Sequence, residues 1–203
     1  MSVLQSLDGD LKLLAALAPA GYYVWLHIRF TSPLMSFQTY PRAWIDHYTQ
    51  NGYAMRDPII AWGFSQTGST RWSGIGFPDT FGILAEAARY GLVFGVAVSC
   101  GAMASRTIAG VARGEREYSD AEMREVATIV ARMHGATELP EQLTEAQVEA
   151  LRLIAAGNRH AAAAAKLGIS ESALKMRLNS ARQRLLARTT AEAVQRATDY
   201  RLI

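Results

Sequence analysis

The chain has 203 residues, half of them hydrophobic, with 21 Lys and Arg against 18 Asp and Glu. That supplies a core for one large domain or two small ones and excludes a disordered chain. One cysteine, Cys100, excludes an internal disulfide. No uncharged apolar run spans a bilayer, and Asp8 and Asp10 precede the first apolar stretch without a basic start, so a cytoplasmic protein with no membrane partner is expected.

In chain order, Val3 to Leu17 has helical apolar spacing, and Tyr22 to Phe30 alternates like a strand. Tyr40-Pro41 opens a helix that Gly52 ends, and Asp57-Pro58 opens another with Asp57 as N-cap. Phe81 to Tyr90 reads as helix, stopped by Gly91. Val93 to Cys100 and Thr107 to Ala112 read as strands that meet through a turn at Gly101, and Ser119-Asp120 caps a helix reaching Met133. These elements predict an α+β domain over residues 1–135, an α/β/α sandwich around an antiparallel sheet. A linker is expected at 136–142, where Pro140 stands.

From Leu143 the pattern is all-helical. Thr144 caps a helix with Val148, Leu151, Ile154 and Ala155 on its apolar face, and Gly157 ends it. His160 to Leu167 is a short second helix. Gly168-Ile169-Ser170 is a tight turn into a third helix from Glu171 to about Leu186, and Thr189 with Glu192 forms a capping box for a fourth. The short helix, glycine turn and longer helix make a helix-turn-helix, so residues 143–203 are expected to be an all-α, four-helix domain.

Charge follows this division. Residues 1–142 carry 11 Lys and Arg against 13 Asp and Glu, whereas residues 143–203 carry 10 against 5. A neutral segment followed by a compact basic one is the pattern of a polyanion-binding module attached to another domain. On the third helix Leu174, Leu178, Ala181 and Leu185 form a stripe at core spacing. Lys175, Asn179 and Arg182 form a parallel stripe one residue further round, with Arg177 and Arg184 on the flank. A helix fits the major groove of double-stranded DNA, where Lys, Arg and Asn bond base edges and flanking cations reach phosphates.

In the first domain Tyr40, Trp44 and Tyr48 recur every four residues on one helix face, followed by Asp57-Pro58 and Arg71-Trp72. Such a stripe serves a core, but Tyr and Trp carry polar tips that need partners when buried. With one acceptor-only carboxylate, the set suits a small amide ligand in an apolar pocket. An enzyme acting on a lactone or amide is the remote alternative. The four histidines, His27, His47, His134 and His160, lack metal-ligand spacing, and Cys100 has no catalytic signature around it, so neither catalysis nor a metal is expected.

Leu143-Thr144, Leu151, Ala156-Gly157, Leu167-Gly168-Ile169-Ser170, Ala181-Arg182-Gln183-Arg184-Leu185 and Arg201-Leu202-Ile203 resemble the DNA-binding domain of LuxR-type regulators. Gln147 stands where that family usually has Glu, and Ala162-Ala163-Ala164 where it usually has Glu-Ile-Ala. Tyr40-Pro41, Trp44, Tyr48, Tyr53, Asp57-Pro58, Trp72 and Gly91 to Gly95 are similar in order and spacing to the family's autoinducer-binding domain. The resemblance implies a quorum-sensing transcriptional regulator with no cofactor and an N-acyl-homoserine lactone as ligand. By it, Trp44 donates to the lactone carbonyl, Asp57 accepts the amide N–H, Tyr40 or Tyr48 donates to the acyl carbonyl, and Trp72 walls the lactone end. Some members also place a hydroxyl residue on the strand that here reads Ile108-Ala109-Gly110-Val111-Ala112. The resemblance further implies a palindromic operator, RNA polymerase as a partner, and a homodimer joined through the fourth helix near Val194 and Ala197. A regulator of this architecture that is ligand-independent or senses another small molecule is the alternative.

Overall fold

Alternating large side chains along β1 (Gly21–Arg29) send Tyr22, Val24 and Leu26 into one core and Tyr23 into another. The computed structural model describes residues 3–29, 32–137, 143–200 and 202–203. They fall into two compact units, the first ending at Thr137 and the second running to Ile203. Most of the expected linker, with Pro140, lies outside the described residues, as do Phe30 and Arg201.

In the first unit β1 pairs antiparallel with β2 (Ser32–Gln38) and β5 (Arg106–Arg113), and β5 with β4 (Phe94–Cys100), which pairs with β3 (Gly68–Arg71). The five-stranded order is β2-β1-β5-β4-β3. One face packs on α1 (Val3–Leu17) and α5 (Asp120–Ala136) through Leu7, Leu14, Val126, Val130 and Met133. The other packs on α2 (Arg42–Gln50), α3 (Pro58–Ser65) and α4 (Ile83–Arg89) through Trp44, Ile59, Ile83 and Ala87. This is an α+β domain with helices on both faces of the sheet. Pro41 stands one position before α2, as its N-cap. Gly63 lets α3 lie close on β5, since a Cβ there would meet Ile108 at 2.8 Å. Cys100 is half-buried, and burial pushes its thiol up to about 11.

The pairing of β1 with β5 slips between Trp25 and Ile28. The extra residue is His27, with φ of 51°, in the left-handed region. Its backbone N–H donates to Thr107 Oγ1 at 3.1 Å, its ring nitrogens meet Ser105 Oγ, the His134 carbonyl and Thr137 Oγ1 at 2.8–3.0 Å, and the ring stacks on His134. The bulge turns Ile28 to the side of Tyr23 and Trp25, facing α2 and α3.

The second unit has α6 (Glu145–Ala155), α7 (His160–Lys166), α8 (Glu171–Arg184) and α9 (Thr190–Asp199). Leu174, Leu178, Ala181 and Leu185 are all buried. Three local expectations need correction. The buried face of α6 is Gln147, Ala150 and Leu151, with Ala155 exposed, because Gln147 closes the capping box with Thr144 and donates to Ser180 Oγ on α8 at 2.9 Å. Thr189 accepts from the Glu192 N–H, but Glu192 accepts from the Arg188 N–H and an Arg196 guanidinium, so the box is not reciprocal. Ala197 is fully buried within its own unit, against the expectation of a partner surface there, and Val194 is half-buried. Among the described residues, no helix is long and apolar enough to cross a membrane.

Candidate functional site

Tyr40, Trp44, Tyr48, Asp57 and Trp72 line one cavity between the sheet and helices α2 to α4. Three elements bring Trp44, Tyr48, Asp57 and Trp72 there. Trp44 and Tyr48 lie one turn apart on α2, their rings 5.5 Å apart, and Trp44 also packs 5.4 Å from Tyr90 beyond α4. Asp57 reaches the cavity as N-cap of α3, its Oδ1 accepting the Ile59 N–H at 2.7 Å. Trp72 follows β3 in a 3-10 turn, Trp72–Gly74, and its ring seats on Gly95 of β4, where a Cβ would lie 2.2 Å from a ring carbon. Asp79 accepts N–H bonds from Ile83 and Leu84, both at 2.8 Å, fixing the start of α4 over the cavity.

Asp57 is only 5% exposed. Burial raises its pKa, opposed by hydrogen bonds from Tyr48 and the Ile59 and Ile60 backbone. Tyr48 donates to Asp57 Oδ2 at 2.8 Å, and burial first, then Asp57, push its phenol far up. Tyr40 donates to the Gly110 carbonyl at 3.1 Å. Both tyrosine protons therefore already have protein acceptors. Two buried donors in the same cavity have none among the described residues: the Tyr23 hydroxyl and the Trp72 indole N–H. The lining is otherwise apolar or aromatic except for Gln38, with Trp25, Ile59, Ile60, Ile83, Leu84 and Ala87 completing it. Chemically, it offers one carboxylate acceptor and aromatic donors to a small ligand with an amide or hydroxyl and an apolar tail.

On α8 of the second unit, Lys175 and Asn179 are exposed and Arg177 is half-buried. Met176 between them is 73% exposed. Arg182 donates to Asn179 Oδ1 at 3.2 Å and to the Arg188 carbonyl, which ties it back to the following loop. Arg184 lies 3.5 Å from Gln147 Oε1 on α6. The structure thus leaves Lys175 and Asn179 outward and engages Arg182 and Arg184 within the unit.

The model of the autoinducer binding domain family matches residues 30–136, more than half of the chain. The chain belongs to this family, that of the LuxR-type quorum-sensing regulators. The regulator is 26% identical over 181 residues to the transcriptional activator RaiR of Rhizobium etli, covering 80% of this chain and 74% of that one. SdiA of Escherichia coli shares its fold at a TM-score of 0.56 and 19% identity, covering 100% of this chain and 92% of that one. SdiA is also known in complex with octanoyl-rac-glycerol, at a TM-score of 0.55 and 17% identity, covering 98% of this chain and 89% of that one. CepR2 of Burkholderia cenocepacia, an N-acylhomoserine lactone dependent LuxR family factor, has a TM-score of 0.51 and 21% identity, covering 67% of this chain and 83% of that one.

Tyr23, Trp25 and Gln38 also line the cavity of this LuxR-type regulator, beyond the residues that the sequence pattern marks. The signal for the first two was the alternation of β1, which puts residues two apart on one face of the sheet. Gln38 ends β2, an edge strand that the hydrophobic pattern did not show.

Proposed function

We propose that this regulator binds an N-acyl-homoserine lactone in the cavity of its first unit and, as a homodimer, a palindromic DNA operator through its second. The observation that carries the ligand half is the buried Asp57 carboxylate in an otherwise apolar cavity lined by Trp44, Tyr48 and Trp72. An ionised carboxylate only accepts, and an amide N–H offered to it makes a charge-assisted bond of about 1.5–3 kcal/mol. Trp44 donates to the lactone carbonyl and Trp72 walls the lactone ring, while the acyl tail follows the aliphatic side of the lining. The lactone dependence of CepR2 supports this ligand class.

The DNA half is supported by the arrangement of α7 and α8 about Gly168, which has φ of 65°, and by the basic balance of residues 143–203. In this reading α7, the turn and α8 form a helix-turn-helix. Lys175 and Asn179 read bases, while Arg177, with Arg182 and Arg184 behind it, serves the phosphates. The ligand-binding domain is 1–135, the linker 136–142 and the DNA-binding domain 143–203. The protein works in the cytoplasm, without a cofactor or enzymatic activity, and with RNA polymerase as a further partner.

Thermal unfolding with a series of homoserine lactones of increasing acyl length tests the ligand half. At least one should raise the melting temperature in a concentration-dependent way. No shift with any of them returns the chain to a ligand-independent or differently tuned regulator.

A further inference from the structure

Strand β5 has no side chain at Gly110, and the ring of Tyr23 fills the space. A Cβ on Gly110 would lie 2.5 Å from a Tyr23 ring carbon. The two residues are register partners on β1 and β5. The Tyr23 ring is fixed by its neighbours, edge-on to Tyr40 at 5.9 Å and tilted against Trp25 at 5.2 Å. It is 7% exposed and lines the cavity, yet its hydroxyl has no hydrogen-bond partner among the described residues. A buried hydroxyl without a protein partner is unfavourable, and in a binding cavity it is available to a ligand atom. Burial first, then the Asp57 charge, push the phenol well above its ordinary range, so it keeps its proton and acts as a donor.

The other two phenols do not have this freedom, since Tyr40 donates to Gly110 and Tyr48 to Asp57. A trans amide presents its N–H and its carbonyl on opposite sides. Asp57 approaches from the helical side as the cap of α3, and Tyr23 approaches from the sheet. We propose that Tyr23 is a ligand-binding residue whose hydroxyl donates to the amide carbonyl of the acyl chain, reaching it from β1 over the side-chain-free backbone of Gly110. The assignment rests on the lactone reading. Because the ring occupies the Cβ space of position 110, a serine or threonine there and Tyr23 exclude each other.

Calorimetric titration of wild type and Tyr23→Phe with octanoyl-homoserine lactone and with its 3-oxo derivative tests this. The variant keeps the ring, so its ligand-free melting temperature should be no lower than that of wild type. It should bind both lactones about tenfold more weakly, the loss of one buried hydrogen bond. Affinity within twofold of wild type for both overturns the assignment and leaves the lactone reading standing. A loss confined to the 3-oxo lactone also overturns it, because the hydroxyl then faces a different oxygen. Wild type that binds neither lactone overturns the lactone reading and this assignment together.

Discussion

Asp57 holds two tasks that pull against each other. As N-cap it anchors α3 through the Ile59 N–H, and as a carboxylate in an apolar cavity it is poorly solvated. Its folded-state pKa is raised above the unfolded value, chiefly by burial. The acid form is therefore favoured by folding, and the contribution of Asp57 to stability falls as pH rises from about 4 through the folded-state value. Asn caps a helix about as well as Asp and carries no charge. Asp57→Asn keeps one acceptor oxygen for the Ile59 N–H but takes away the acceptor of the Tyr48 hydroxyl. It should still fold at neutral pH without ligand, and should lose the ligand-induced rise in melting temperature. Thermal unfolding with and without lactone checks both halves. A variant that responds to lactone as wild type does removes Asp57 from the binding role. Trp44 allows a narrower test. Trp44→Phe keeps most of the apolar bulk and removes one N–H, so lactone affinity should fall by roughly 1–3 kcal/mol in calorimetry. Unchanged affinity returns Trp44 to a packing role.

At the scale of elements, α5 is joined to the sheet at its first turn. Ser119 and Glu122 form a reciprocal capping box, and the Glu122 carboxylate also accepts from Arg113 on β5 at 2.9 Å and from Arg116 at 2.7 Å. The Arg116 bond, then the Ser119 N–H, hold the Glu122 carboxyl well below the usual range. A depressed acid contributes stability that is present above its ordinary value of about 4.3 and is lost as pH falls. Glu122→Gln should lower the melting temperature at neutral pH, and the deficit should shrink as pH falls below about 4 while still being measurable near pH 3, where the folded-state carboxyl remains ionised. A pH series of melting curves measures this, and parallel curves would count against it. The cap was legible in Ser119-Asp120, and β1 and most of the helices in their periodic faces, while β4 and β5, buried along their length, were legible as short apolar runs on either side of Gly101. Strands β2 and β3 were not. β2 is an edge strand with Pro33 near its start, and β3 is four residues with no large apolar side chain; both are held by pairing to an inner strand rather than by their own pattern. The His27 bulge was hidden for a related reason, since one extra residue breaks the two-residue period that identifies a strand. In the cavity, the aromatic stripe and Asp57 could be read from spacing. The availability of Tyr23 depends on a glycine more than eighty positions away, and only register reveals that.

At the scale of the whole molecule, the proposed contact of the basic second unit with DNA has a sequence-blind part and a discriminating part. Phosphate contacts release counterions and are blind to sequence, whereas base contacts discriminate. Asn179 is exposed on α8, one turn after the exposed Lys175, and its Oδ1 accepts from Arg182. Arg177 lies on the flank and is half-buried. It is a better probe of phosphate contact than Arg184, whose removal would also disturb Gln147 inside the unit. Asn179→Ala should weaken binding to the specific operator by about 1–3 kcal/mol and leave binding to a scrambled duplex nearly unchanged. Arg177→Ala should weaken both duplexes by similar factors and reduce the salt slope by about one unit for each half-site it serves. Titrations of each variant against both duplexes at several salt concentrations separate the two effects. A footprint over two symmetric half-sites about one helical turn apart is expected of the proposed homodimer. Equal losses on both duplexes for Asn179→Ala would mean that α8 does not present this face to the bases. If neither variant changes DNA affinity, α8 is not the recognition helix, and the basic charge of the second unit serves another partner.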